Sequence, residues 1–117
     1  YVQQQQISNQ LAKFKSPKEI ITKMEFIMQQ HPSDPLGWFL LGRLYMSTGD
    51  YAKAMKSLAK ANQLKPHDLN IMMNYIKADH EMSHGQLNKV SQDLLRQILE
   101  QDPSNTFALN IKLKQRN

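Results

Sequence analysis

The sequence predicts an all-α protein, built as a right-handed superhelical stack of antiparallel helix hairpins with about three repeats and six to seven helices. Two observations support this prediction. Apolar residues recur at helical spacing in successive short segments of the 117-residue chain. Pro32 and Pro66 are 34 residues apart (66 − 32), the length of one two-helix repeat. Because each hairpin buries only one face, the hairpins must stack continuously.

Residues 34–68 carry the strongest repeat pattern. They contain the spacing W-x2-L-G-x2-Y, and then small, large and small residues followed by a proline. The residues at these structural positions are Trp38, Leu41, Gly42, Tyr45, Ala54, Leu58, Ala61 and Pro66. This is the tetratricopeptide (TPR) pattern, with leucine at position 58 where phenylalanine is usual. The small residues let the two helices touch closely, and the large ones fill the remaining volume.

The pattern divides the chain into a linker or short helix at residues 1–15 and a TPR domain at 16–117. Within that domain, residues 35–68 form the best-matching repeat. Residues 69–105 form a repeat with a lengthened turn, because Pro103 follows Pro66 by 37 residues (103 − 66). We place the three extra residues at 83–88.

Capping residues and apolar spacing predict the other helices. Ser16 and Pro17 start a helix that ends near residue 30, and later helices are expected at about 69–82, 87–101 and 104–115. The helix after Ser16 would have an apolar face of Ile20, Ile21, Met24, Ile27 and Met28. The helix at 69–82 would bury Met72, Tyr75, Ile76 and Asp79. The helix at 87–101 would bury Val90, Leu94, Leu95, Ile98 and Leu99.

Composition narrows the function. The chain has no cysteine, which excludes disulfides, thiolate metal sites and a cysteine nucleophile. No apolar run reaches the roughly 18 residues of a membrane span. A net charge of +5 favours acidic partners but does not require nucleic acid, and we expect no nucleic-acid partner. The first residue is tyrosine, so we expect a piece of a longer protein.

One motif suggests metal chemistry. His80, Glu81 and His84 match H-E-x-x-H, the zinc protease motif. Such a site needs both histidines on one helical face and a third ligand, for which only Asp93 or Glu100 is available. Gly85 would end the helix immediately, so we favour a solvated helix end, with no metal, no cofactor and no enzyme activity. A zinc hydrolase remains the third hypothesis.

The first helices of successive repeats would line a ligand groove. Alignment of the repeats puts three basic residues in one column and places apolar and polar residues beside them. The predicted groove consists of Leu36, Phe39, Arg43, Met46, Asn70, Met73, Lys77, His80 and Lys114. Such a surface suits an amphipathic helix or a chain end with a carboxylate, although solvated charges aligned by chance would look the same.

Residues 16–111 resemble the periplasmic TPR module of bacterial cytochrome c biogenesis proteins, the haem-lyase accessory subunits. The resemblance is carried by GW-x-LLGR-x-Y in the first repeat and by LL-x-x-IL-x-x-DP-x-N-x-x-AL after the lengthened turn. The chain departs from the family in having only Gly85 in that turn. It also has Met72, Met73 and Lys77 where small apolar residues are usual.

The resemblance implies a non-catalytic module that chaperones the C-terminal helix of an apocytochrome c for haem ligation. Its partners would be apocytochrome c, or another peptide or helix, and subunits of the haem-lyase complex. It implies a periplasmic protein, tethered to the inner membrane through an N-terminal anchor missing from this sequence. The alternative is a generic TPR scaffold that binds unrelated proteins in another assembly.

Overall fold

The computed structural model describes residues 16–115, and these form six α-helices without a strand. The prediction of an all-α fold is therefore confirmed, whereas the expectation for residues 1–15 concerns a segment outside the described residues. In chain order the helices are α1 (Pro17–Gln30), α2 (Pro35–Ser47), α3 (Tyr51–Leu64), α4 (Leu69–Met82), α5 (Lys89–Gln101) and α6 (Thr106–Gln115).

Each helix begins after a side chain that accepts a hydrogen bond from a free backbone N–H group of the first turn. Donor–acceptor distances are 2.7–3.4 Å, and the caps are Ser16, Asp34, Asp50, Asp68, Asn88 and Asn105. The two asparagines explain why α5 and α6 each begin two residues later than predicted. Apolar spacing alone did not identify either asparagine as a cap.

Consecutive helices pack against one another along the chain, and α2 packs most extensively with α3. One apolar core runs through every helix and includes Met24, Leu41, Leu58, Ile76, Ile98 and Ile111. This continuous core is what a stack of one-sided hairpins requires.

The hairpin formed by α2 and α3 depends on close helix contact. A Cβ atom built on Gly42 would lie 2.7 Å from Cγ of Leu58, so no larger residue fits without a shift. Leu41, Ala54, Leu58 and Ala61 are at most 2% exposed. The half-buried Trp38 donates from Nε1 to the backbone oxygen of Pro32 at 2.9 Å. The indole therefore packs within the hairpin and also holds the preceding turn.

The hairpin formed by α4 and α5 has a turn of six residues (83–88), against three (48–50) in the preceding hairpin. The three additional residues lie in the segment where the extra residues were predicted. All four predicted core residues of α4, namely Met72, Tyr75, Ile76 and Asp79, are at most 7% exposed. The buried Asp79 carboxylate accepts from the backbone N–H of Asn88 at 2.8 Å, which fixes the end of the longer turn.

The prediction that Val90 faces inward was wrong. Val90 is 52% exposed, and its neighbour Ser91 is fully buried instead. The cause is the later start of α5, because the Asn88 cap sets which residues of the first turn point towards α4. When the three inserted residues are taken into account, Ser91 is equivalent to Ala54 of the preceding repeat.

Candidate peptide-binding groove

The three predicted groove cations occupy equivalent places in the structure. Arg43, Lys77 and Lys114 each lie eight residues after the first residue of α2, α4 and α6 (43 − 35, 77 − 69 and 114 − 106). All three side chains are exposed. The observed helix bounds therefore keep the register from which the basic column was predicted.

An apolar pocket joins the beginning of α2 to the beginning of α4. It encloses about 160 Å³ and brings together Leu36, Phe39 and Asn70, three of the predicted groove residues. The Leu36 side chain is 42% exposed. The guanidinium carbon of Arg43 lies 5.9 Å from the centre of the Phe39 ring, within the range of a cation–π interaction. The pocket is therefore mainly apolar, with the Lys65–Asp68 ion pair also in its lining and Arg43 against its Phe39 wall.

The two predicted groove methionines are half-buried. Nδ2 of Asn105, which precedes α6, lies 3.6 Å from Sδ of Met73 on α4. The Oδ1 atom of Asn105 also caps α6 through the N–H of Ala108 at 2.9 Å. Asn105 thus links the two helices, a role that the sequence pattern did not indicate. Its position after Asp102 and Pro103 in the turn was the available signal.

A polar cleft lies at the other end of α4. It measures about 590 Å³ and brings the predicted residues His80 and Lys114 to the same space. Gln86 and His84 from the long turn and Gln115 from α6 also line it. Gln86, His84 and Gln115 were not among the predicted groove residues, because their meeting depends on how the long turn folds against α6.

The H-E-x-x-H segment does not have zinc-protease geometry. α4 ends at Met82, and His84 lies beyond it with φ of 54°, so the two histidines do not share a helical face. The proposed third ligands, Asp93 and Glu100, are both paired with Arg96. Within residues 16–115, no group of three or more His, Cys, Asp or Glu side chains could hold a metal ion.

One partly buried hydrogen bond between α1 and α2 was also missed. The hydroxyl of Tyr45 donates a hydrogen bond to Oε2 of Glu25. Burial, together with this bond to a carboxylate, raises the pKa of the Tyr45 phenol well above its usual value. Glu25 lies next to the apolar residue Met24 on α1, and that position was the only sequence signal for the contact.

None of the described helices combines the length and apolar character needed to cross a membrane. A family model described as the TPR domain of cytochrome c-type biogenesis protein H matches residues 18–112.

Curated relatives agree with this match. Cytochrome c-type biogenesis protein CcmH of Escherichia coli K12 is 32% identical over 84 residues, or 72% of this chain and 24% of that protein. CcmH of Shigella flexneri gives the same values. A Haemophilus influenzae protein also described as CcmH is 27% identical over 94 residues, or 80% of this chain and 20% of that protein. The matched part thus spans about a quarter or less of each relative. Because the family model covers most of the sequence, the chain belongs to the family of TPR domains of cytochrome c-type biogenesis protein H.

Proposed function

We propose that this chain is a non-catalytic peptide-binding module of c-type cytochrome maturation. It holds the C-terminal helix of an apocytochrome c while haem is ligated, and it acts beside the subunits of a haem-lyase complex. It works in the periplasm, as part of a longer protein tethered to the inner membrane. The family membership and the names of the relatives support the pathway in this proposal.

The arrangement of the first helices supports the proposed mode of binding. Exposed cations repeat at one register on α2, α4 and α6, and an apolar pocket opens beside them at Leu36 and Phe39. An amphipathic helix presents apolar anchors three and four residues apart and acidic groups at its flank, so it matches such a surface. This combination of an apolar pocket with a basic column is the observation on which the proposal rests.

Calorimetric titration with a C-terminal helix peptide of an apocytochrome c from the same organism tests the proposal. We expect a dissociation constant of about 1 μM, equivalent to about −8 kcal/mol. A scrambled peptide should not bind. The double variant Arg43→Glu, Lys77→Glu should bind at least about tenfold more weakly, because it reverses two of the three charges of the column.

The matched control is Lys56→Glu, Lys60→Glu on α3. Both lysines are exposed, and the control changes the net charge by the same amount. Equal weakening by both double variants would indicate a general charge effect and would discard the basic column. No binding of the peptide at about 1 mM would favour a generic scaffold for other proteins instead.

A further inference from the structure

The polar cleft at the end of α4 has a chemistry of its own. Hydrogen-bond donors approach it from three places: His80 on α4, His84 and Gln86 in the long turn, and Lys114 on α6. Imidazole, amide and ammonium groups can all donate to an anion. None of the described residues that line the cleft is acidic.

The walls of the cleft are held in place by hydrogen bonds. Nε2 of Gln115 donates to the backbone oxygen of Gly85 at 2.9 Å, which joins the end of α6 to the long turn. The N–H of Gly85 donates to the oxygen of His80 at 2.9 Å. On the far side of the turn, Asp79 accepts from the N–H of Asn88. The long turn and the end of α6 are therefore held together before a ligand arrives, which reduces the backbone ordering that binding requires.

The cleft and the apolar pocket lie at opposite ends of α4. The pocket includes Asn70 and the cleft includes His80, so ten residues of α4 separate them, or about 15 Å at 1.5 Å per residue. A ligand helix that reaches both sites therefore needs at least about ten residues. This length fits one amphipathic helix of ordinary size.

We propose that the cleft between His80 and Lys114 binds a carboxylate of the peptide ligand, while an apolar side chain of the same ligand fills the pocket at Leu36 and Phe39. The carboxylate belongs either to the chain end of the ligand or to an acidic side chain near that end. This inference rests on the proposed peptide-binding function and adds a chemical requirement and a direction to it. The carboxylate-bearing end lies against the long turn, and the apolar anchor lies against α2.

Three versions of the apocytochrome peptide distinguish the two carboxylate sources: the free acid, the C-terminal amide, and a peptide with its last acidic side chain replaced by the amide. Loss of one charge-assisted hydrogen bond should weaken binding to the wild type about tenfold. Weakening by the terminal amide assigns the chain end, and weakening by the side-chain amide assigns the side chain. Equal binding of all three peptides would overturn the proposal.

Variants locate the effect on the protein. Lys114→Gln and His80→Gln should each weaken binding of the free-acid peptide. They should also reduce the difference in affinity between the free acid and the amide peptide that binds the wild type more weakly. Lys112→Gln is the matched control, because it removes the same charge from the same helix but lines a different cavity with Gln92 and Leu99. If Lys112→Gln reduced this difference in affinity as much as Lys114→Gln, the effect would be one of overall charge and the cleft assignment would be wrong.

A second measurement separates failure of this inference from failure of the proposed function. If no peptide binds the wild type, the apocytochrome proposal fails, and the cleft is tested with N-acetyl-leucine and its amide by NMR of the histidine side chains. Saturable shifts of the His80 and His84 resonances with the acid alone would support a carboxylate site. Absence of shifts, or equal shifts with both compounds, would contradict it.

Discussion

At the eighth residue of its first helix, the α2/α3 hairpin has Gly42, whereas the α4/α5 hairpin has Ile76. Both residues are buried, and Ile76 is fully so. The glycine lets α2 approach Leu58 of α3 closely. In the second hairpin the isoleucine fills the same place, and the two helices pack less extensively. One repeat position therefore supports the fold either by absence of a side chain or by its bulk.

The eleventh residue shows a second contrast. Tyr45 reaches back to Glu25 on α1, outside its own hairpin, whereas Asp79 accepts from Asn88 within its own hairpin. Hydrogen bonds to charged groups contribute more than neutral ones. At this position the first hairpin is thus bonded to the preceding helix α1, whereas the second is bonded to its own turn. The comparison teaches that equivalent core positions share burial but not partners.

Substitutions that change side-chain size at the eighth position should have the largest effect on the free energy of unfolding. We expect Gly42→Ile to lower the free energy of unfolding by about 3 kcal/mol, because its Cβ alone would overlap Leu58. Ile76→Ala should cost a similar amount, about 2–4 kcal/mol, by leaving a cavity. Urea unfolding followed by circular dichroism measures both.

Leu58→Ala provides the control for the overlap. Combined with Gly42→Ile it should recover part of the lost stability, because it vacates the space that the new side chain enters. Strictly additive costs in the double variant would show that the two helices are not limited by this contact.

Removal of the Asp79–Asn88 hydrogen bond should have an intermediate effect on the free energy of unfolding. Asp79→Ala leaves the N–H of Asn88 without its acceptor and should cost about 2 kcal/mol. Asp79→Asn keeps an acceptor oxygen and should cost less. Hydrogen exchange is the specific readout, because the Asn88 amide should exchange faster in Asp79→Ala than in Asp79→Asn. Unchanged exchange there would contradict the role given to the carboxylate.

Removal of the Tyr45–Glu25 hydrogen bond should have the smallest effect. Tyr45→Phe should lower the free energy of unfolding by about 1 kcal/mol at neutral pH. The size of this effect depends on pH. The native state raises the pKa of the Tyr45 phenol above its usual 10.0, so it binds that proton more tightly than the unfolded chain. This contribution is fully present below about pH 10 and is lost as the pH rises further.

Unfolding of the wild type and of Tyr45→Phe between pH 8 and pH 11 (about three units) tests this linkage. The stability advantage of the wild type should shrink at the alkaline end. Tyr51→Phe is the control, since it removes another tyrosine hydroxyl at the first residue of α3. A constant difference across the whole range would contradict the linkage to Tyr45.

The sequence predicted most of the fold because the repeat pattern records physical needs that are local in the chain. Gly42 and Ala54 mark close contact, and Pro66 and Pro103 mark the ends of repeats. The error at Val90 has a local cause as well. Apolar spacing alone does not tell which residue begins a helix, and the cap at Asn88 was not identified.

The candidate site was predictable only in part. Arg43, Lys77 and Lys114 follow from helix register, which the spacing sets. His84 and Gln115 join the polar cleft because the long turn is bonded to the end of α6, through residues 30 positions apart. No pattern in a single sequence encodes that distance. The Glu25–Tyr45 contact is hidden for the same reason, since it joins two different hairpins.

The Tyr45–Glu25 and Asp79–Asn88 hydrogen bonds also differ in the sequence separation of their partners, and this bears on the order of folding. The Tyr45–Glu25 bond joins residues 20 positions apart, and the Asp79–Asn88 bond joins residues nine apart. The entropy lost on closing a loop grows with its length, so the shorter closure forms at lower cost. In a stack with mainly nearest-neighbour contacts, folding can start at any repeat. The Asp79–Asn88 bond needs no neighbouring hairpin, whereas the Tyr45–Glu25 bond can form only once α1 has packed against α2.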